Sequence, residues 1–161
     1  MNLSYRTAIG RKTLPAPVRF LLKENLIHGD ILDYGCGRCK ALNDKVLAKA
    51  PGISSITSYD PFFCPNELLE GELWDYDTIL CTYVLCVVSK EVGQSILQTI
   101  KILLKTDGVA YITVRNDSPR KGHGVSSKGT LQRKVELPYL EEFKKTSQFR
   151  IYRLTKDSVI P

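Results

Sequence analysis

The sequence predicts an α/β domain built on a doubly wound, mostly parallel sheet that finishes in an antiparallel C-terminal hairpin. Three observations predict it. Apolar runs from Ile31 to Tyr34, Ile53 to Tyr59, Asp77 to Val88 and Val109 to Val114 alternate with stretches of helical composition, the pattern of successive βα units. The first run leads into Asp33-Tyr34-Gly35-Cys36-Gly37, a carboxylate followed by a glycine turn. The second ends in Ser58-Tyr59-Asp60-Pro61. Both strands therefore deliver a carboxylate to the same edge of the sheet, where open α/β folds bind their ligands.

The elements follow in order. Residues 1–14 form a basic N-terminal segment without regular pattern. Pro15 and Pro17 open a helix whose apolar positions Val18, Leu21, Leu22 and Leu26 lie near helical spacing, and His28-Gly29-Asp30 is its expected stop. Ala41 to Ala50 has helical composition and ends at Pro51-Gly52. Between Phe62 and Trp74 no strand is apparent and Asn66 to Leu73 holds a helical turn or two, so the region of a third strand is reduced. The unbroken run from Asp77 to Val88 suits a central strand buried on both faces. Ser89 is placed as an N-cap, and Val92, Ile96, Ile100, Leu103 and Leu104 mark a helix face up to Asp107-Gly108. The polar, glycine-rich and basic stretch 116–130 reads as a mobile loop. Leu131 to Leu137 and Phe149 to Leu154 alternate, as a closing antiparallel pair would.

At 161 residues, with no internal repeat or linker, residues 1–161 form a single compact domain. No apolar run is long enough to span a bilayer and the N-terminus lacks the apolar core of a secretory signal, so a cytoplasmic location is expected. Five cysteines include one CxxC, Cys36 and Cys39, but only two histidines are available to complete a zinc site. Reduced thiols and no bound metal are expected. The net charge of +6 is concentrated: the first 23 residues carry five basic residues and no acid, and Arg115 to Lys134 carries six against the single acid Asp117. Such segments form either a face toward a polyanion or a solvated surface.

Asp33 to Gly37 and Asp60 resemble motifs I and II of class I S-adenosylmethionine-dependent methyltransferases, a Rossmann-like fold. The resemblance implies S-adenosyl-L-methionine as cofactor. Asp33, Tyr34, Gly35, Cys36 and Gly37 would lie along its methionine and ribose, Asp60 would accept from the ribose hydroxyls, and Pro61 and Phe62 would border the adenine. Thr82 and Tyr83 would close the cofactor site from the fourth-strand position. A dinucleotide is the rival ligand, but Lys40 stands where its fingerprint needs a third glycine, and Asp33 suits a cationic sulfonium better than a pyrophosphate. Cys39 replaces the usual third glycine of motif I.

The acceptor is less legible. The Asp/Asn-Pro-Pro-aromatic motif of amino-methylating DNA enzymes is absent from Cys81-Thr82-Tyr83-Val84, and no Pro-Cys pair marks cytosine chemistry. Tyr83 and His123 are the candidate catalytic residues, Tyr83 to orient the acceptor and His123 as a base. Arg11, Lys12, Arg115, Lys128 and Arg133 are the candidate substrate-binding residues for an anionic acceptor, nucleic acid or nucleotide-like. Thr7 to Pro17 and Lys128 to Arg133 resemble segments of small bacterial and phage methyltransferase-like proteins, some associated with DNA sulfur modification. Two alternatives stand beside this reading: a methyltransferase of small metabolites, and a non-catalytic accessory or anti-defence protein.

Overall fold

The computed structural model describes residues 4–38, 49–65, 75–117, 123–125 and 129–161. After a 3₁₀ turn at Ser4–Thr7 come α1 (Ala16–Lys23), β1 (Gly29–Tyr34), β2 (Ile53–Tyr59) and β3 (Tyr76–Thr82). A second 3₁₀ turn at Leu85–Val87 leads to α2 (Lys90–Leu103) and β4 (Leu104–Arg115). The chain finishes with β5 (His123–Val125), β6 (Leu131–Arg133), β7 (Glu141–Lys145) and β8 (Phe149–Leu154). Six strands form one sheet in the order β2-β1-β3-β4-β8-β7. The first four run parallel, and β8 is antiparallel to both β4 and β7. This is the doubly wound, mostly parallel sheet with an antiparallel end that the alternation predicts.

Alternation within each strand separates two cores, because successive side chains point to opposite faces. Leu32, Ile79, Ala110 and Ile112 share one cluster with Leu97, Ile100 and Leu103 of α2. Their sequence neighbours Ile31, Leu80 and Tyr111 share the other with Val18 and Leu21 of α1. The two helices therefore cover opposite faces, and β3 is buried on both. Truncating one of these fully buried side chains, Ile79→Ala for example, removes about 2–5 kcal/mol.

At the amino ends of the strands a charged clasp ties three of them together. Lys105 Nζ lies 3.1 Å from Asp30 Oδ2 and 2.8 Å from Asp77 Oδ2. Asp77 also accepts from the Asp30 backbone N–H at 2.8 Å. Gly29 (φ +71°) makes room for this, since a Cβ there would meet Asp77 Oδ2 at 2.2 Å.

Several sequence expectations are corrected. Helix α1 ends at Lys23, well before His28, because Asn25 (φ 55°) takes the left-handed conformation. Leu26 N–H donates to Leu21 O and Asn25 N–H to Leu22 O, the paired bonds of a Schellman motif with asparagine in the usual glycine position. The run from Asp77 to Val88 breaks at Thr82, where Tyr83 turns left-handed (φ 61°) and a 3₁₀ turn follows. Leu85 and Cys86 remain buried, so the run stays apolar although it leaves the sheet. On α2 the buried face is Gly93, Leu97, Ile100 and Leu103, with Val92 exposed. Ser89 caps the helix as expected, its Oγ accepting from Val92 N–H at 3.3 Å.

The closing antiparallel pair is β7 with β8, not Leu131 to Leu137 with Phe149 to Leu154. Glu141–Lys145 is a charged sheet-edge strand that lacks the alternation a half-buried strand shows. Leu131–Arg133 pairs instead with His123–Val125 in a separate two-stranded sheet, so part of the expected mobile loop is a strand. The expected helical stretches at 41–50 (through residue 48) and 66–73, and with them Cys39, Lys40 and Trp74, lie outside the described residues.

Candidate active site

Strand β1 has β2 on one side and β3 on the other, so the connections leaving its carboxyl end diverge and open a crevice there. Asp33 sits at that end, opposite Ser58 of β2 and Leu80 of β3, and is buried. The turn that follows is held by two bonds to one carbonyl: the Gly35 and Cys36 N–H groups donate to Tyr59 O at 2.7 and 3.0 Å. Gly35 has φ +79°, and a Cβ there would meet Val84 Cγ2 at 2.3 Å. Gly37 has φ +57°. Both conformations belong to glycine.

Asp60 locks this turn to the end of β2. Its Oδ2 accepts from Gly37 N–H at 3.1 Å, and its Oδ1 accepts from the N–H groups of Phe62 and Phe63 at 2.9 and 3.1 Å. A carboxylate offers about four lone-pair positions. The geometry thus leaves room for one further donor, at Oδ2, rather than for a hydroxyl on each oxygen. Phe62 and Phe63 are partly exposed, and the ring of Tyr5 packs on Phe62 with centroids 5.3 Å apart.

These groups share one cavity of about 710 Å³, in the usual range for small-molecule sites. Its lining includes Asp33 to Gly37, Asp60, Pro61 and Phe62, all expected from the sequence. Thr82 and Tyr83 line it too, with Arg11 and Arg115. Lys12 is exposed and Arg133 half-buried, and neither contributes to the lining. Arg133 Nε instead donates to Val88 O at 2.7 Å. His123 lies in β5, but its side chain falls outside the description, and Lys128 lies outside the described residues.

The same lining contains groups that the sequence reading did not single out as functional. Asp117 pairs with Arg115 through two contacts, Nε to Oδ1 at 3.0 Å and Nη2 to Oδ2 at 3.2 Å. Asp117, Gln132, Gln148, Val88, Val92 and Ile96 are also part of the lining. The signal for Asp117 was its isolation as the one acid in a basic stretch. Val92 and Ile96 hid within an amphipathic pattern that also serves core packing.

Electrostatics set the state of each group. The Arg115 guanidinium beside Asp117 holds that carboxyl below its ordinary range, and Asp117 in turn raises Arg115. Burial raises the Tyr83 hydroxyl while Arg11 and Arg115 oppose the rise, so all three lie within electrostatic reach of one another. Tyr83 donates its backbone N–H to Thr113 O at 2.9 Å from its left-handed conformation. Such a conformation costs of the order of 1–3 kcal/mol in a bulky residue. Burial pushes the thiols of Cys36, Cys81 and Cys86 upward, with Asp33 adding to the first two.

No group of three or more His, Cys, Asp or Glu side chains arranged to hold a metal ion occurs among the described residues. No helix among them is long and apolar enough to cross a membrane.

Comparison with known proteins gives the fold its class. No protein-family model matches the sequence, and no curated protein is similar to it in sequence. Solved structures do match. A proposed type 11 methyltransferase from Sulfolobus solfataricus is 20% identical with a TM-score of 0.60, over 91% of this chain and 95% of that one. The 1,6-didemethyltoxoflavin N1-methyltransferase of Burkholderia thailandensis, solved with 1,6-didemethyltoxoflavin and S-adenosylhomocysteine, is 15% identical with a TM-score of 0.59. That match covers 94% of this chain and 77% of the other. An O-methyltransferase family protein from Burkholderia thailandensis is 11% identical with a TM-score of 0.55, over 88% of this chain and 56% of its own. The chain has the fold of class I S-adenosylmethionine-dependent methyltransferases.

Proposed function

We propose that the chain is an S-adenosylmethionine-dependent methyltransferase acting on a small acceptor. The observation that carries this reading is the convergence of the Gly35–Gly37 turn, Asp60 and Tyr83 on one cavity at the switch point of the sheet. The residues fit the cofactor. Gly35 and Gly37 present bare backbone to its ribose and methionine, Asp60 Oδ2 retains capacity for a ribose hydroxyl, and Pro61 and Phe62 border the adenine. Asp33 is the carboxylate for its amino group.

When bound, S-adenosylmethionine supplies a methyl group made electrophilic by the sulfonium charge. The chain's own contribution is then alignment and water exclusion, with a proton acceptor near the nucleophile. Tyr83 orients the acceptor, and Asp117 or the Tyr83 oxygen takes a hydrogen bond from its nucleophilic group.

The sequence also favours an anionic or nucleic-acid acceptor, and Arg11 and Arg115 at the cavity support that alternative. The small acceptor is preferred because one of the two arginines that line the cavity, Arg115, already has its charge matched within the fold. Arg115 is matched by Asp117, Lys134 by Glu136, and Arg150 lies 3.6 Å from Glu142. The accessory reading draws on Asp60, three of whose lone-pair positions are engaged by backbone.

Calorimetric titration with S-adenosylmethionine and S-adenosylhomocysteine tests the reading. Saturable binding of both is expected, followed by transfer of a labelled methyl group to small molecules. A folded sample that binds neither would leave the glycine turn a purely structural device. Methyl transfer by the purified chain would remove the accessory reading, and label incorporated only into DNA or RNA would favour the nucleic-acid one.

A further inference from the structure

We infer that Arg11 binds the methionine carboxylate of S-adenosylmethionine, carried there by an N-terminal strap that runs along the cofactor. This rests on the methyl-transfer reading and assigns a further residue of the same site. The path of the strap is the reason. It starts on the adenine side, where the ring of Tyr5 packs on Phe62 with centroids 5.3 Å apart. Three residues on, it crosses the glycine turn, since a Cβ on Gly37 would lie 3.4 Å from the Ala8 Cβ. Three further on, Arg11 lies within electrostatic reach of Tyr83, which follows the carboxyl end of β3. Leu14 then anchors the strap, buried in the same core cluster as Val18 and Leu21 of α1. Tyr5, Ala8 and Arg11 all line the cavity. The strap thus passes the adenine border, the glycine turn and the methyl-transfer residue in that order, and its cation falls on the methionine side.

Charge points to the same assignment. The amino-acid tail of the cofactor is a zwitterion, with an ammonium and a carboxylate on one carbon. Asp33, buried at the end of β1, is the carboxylate for the ammonium. The tail's own carboxylate needs a cation, and Arg11 and Arg115 are the basic residues of the described lining. Arg115 lies 3.0 Å from Asp117, whereas Arg11 makes no ion pair among the described residues. A guanidinium presents five N–H donors in a planar fork, so it can hold both oxygens of a carboxylate. Arg11 is exposed, which places the pair at the mouth of the cavity and moderates its strength, because water screens exposed charges. An anionic acceptor is the rival occupant of Arg11. The course of the strap over the glycine turn favours the cofactor, and the test separates the two.

The test is a calorimetric titration of the full chain with two ligands. One is S-adenosylhomocysteine, the other its decarboxylated analogue, in which a hydrogen replaces the carboxylate. The proteins are the wild type and Arg11→Met, which removes the charge and keeps an unbranched apolar stem. The wild type is expected to bind S-adenosylhomocysteine about fivefold or more tighter than the analogue. In Arg11→Met, S-adenosylhomocysteine should weaken by about fivefold or more while the analogue stays within about twofold, as expected from loss of a charge-assisted pair at an exposed position. Arg11→Lys keeps the charge without the fork and should keep part of the preference. Equal binding of the two ligands by the wild type would overturn the inference, and that comparison needs no variant. Equal weakening of both ligands in Arg11→Met would overturn it as well, leaving Arg11 a structural part of the strap. Unchanged S-adenosylhomocysteine affinity in Arg11→Met would return Arg11 to the acceptor and overturn the assignment to the cofactor. Binding of neither ligand by the folded wild type would refute the methyl-transfer reading itself, and the inference with it.

Discussion

Replacing Gly35 with alanine tests whether the glycine turn is built around a close approach to Val84. Two terms are worked from the structure. The backbone at Gly35 has φ +79°, which costs an L-residue roughly 1–2 kcal/mol. The added Cβ would lie 2.3 Å from Val84 Cγ2, so Val84 must move, at a further cost of about 1–3 kcal/mol for overpacking. Together they predict a loss of about 2–5 kcal/mol, and a fall in Tm of the order of 5–15 °C for a chain of this size. Val84 directly follows the left-handed Tyr83 and lines the same cavity, so its displacement also disturbs Tyr83 there. S-adenosylhomocysteine affinity should drop with stability. The double variant Gly35→Ala/Val84→Ala removes the clash and leaves the backbone strain. Thermal melting of the four proteins of the cycle should therefore show favourable coupling of about 1–3 kcal/mol between the two sites. Additive losses would refute the steric argument, and an unchanged Tm in Gly35→Ala would refute the turn geometry itself.

Other perturbations separate binding from stability. Asp60→Asn removes the acceptor for Gly37 N–H and the capacity at Oδ2; S-adenosylhomocysteine affinity should fall by about ten- to a hundredfold, and calorimetry finding less than a threefold change would count against the ribose contact. Asp30 and Asp77 titrate below their ordinary value, Asp30 through Ser55 and Lys105, and Asp77 chiefly through Lys105. Their stabilisation is present above the unfolded aspartate pKa of about 4 and is lost as pH falls through the lower folded values. Lys105→Met should thus lower Tm at neutral pH, with the gap to wild type closing in acid; a gap independent of pH would show that the clasp contributes only packing. Ser89→Ala should cost about 0.5–2 kcal/mol in urea unfolding by removing the α2 cap. Burial raises the Cys81 and Cys86 thiols, so iodoacetamide should label them slowly in the native state and rapidly after unfolding. Prompt native labelling by mass spectrometry would contradict the packing around β3.

The strands that were legible before folding are those whose burial leaves a one-dimensional trace. Ile53–Tyr59 coincides with its expectation and β1 extends two residues before its own, whereas β4 begins at Leu104 rather than Val109 and takes residues that the expected helix up to Asp107-Gly108 would have held. The motif I carboxylate and glycines, together with Asp60, were legible because a tight turn between a strand and its ligand restricts residue type. Glu141–Lys145 was not, since a charged strand at the sheet edge satisfies its backbone through β8 without an apolar face. The break at Tyr83 was hidden for the opposite reason. Leu85 and Cys86 are as buried in a 3₁₀ turn as they would be in a strand, so hydrophobicity does not record the change.

The cavity shows the same division more sharply. Arg11 and Arg115 are far apart in the chain and both reach Tyr83 electrostatically, whereas Arg133 of the same basic stretch turns to the Val88 carbonyl. Composition gives all three the same charge; only the path of the chain decides which meet. The amino-acid sequence by itself determined the α/β class, the glycine turn with its two carboxylates and the buried face of α1. Those depend on local periodicity and on the conformational needs of single residues. The tertiary structure alone decided the Gly37 N–H bond to Asp60 and the meeting of Arg11, Tyr83 and Arg115 at one cavity, because each joins segments whose proximity exists only once the sheet has formed.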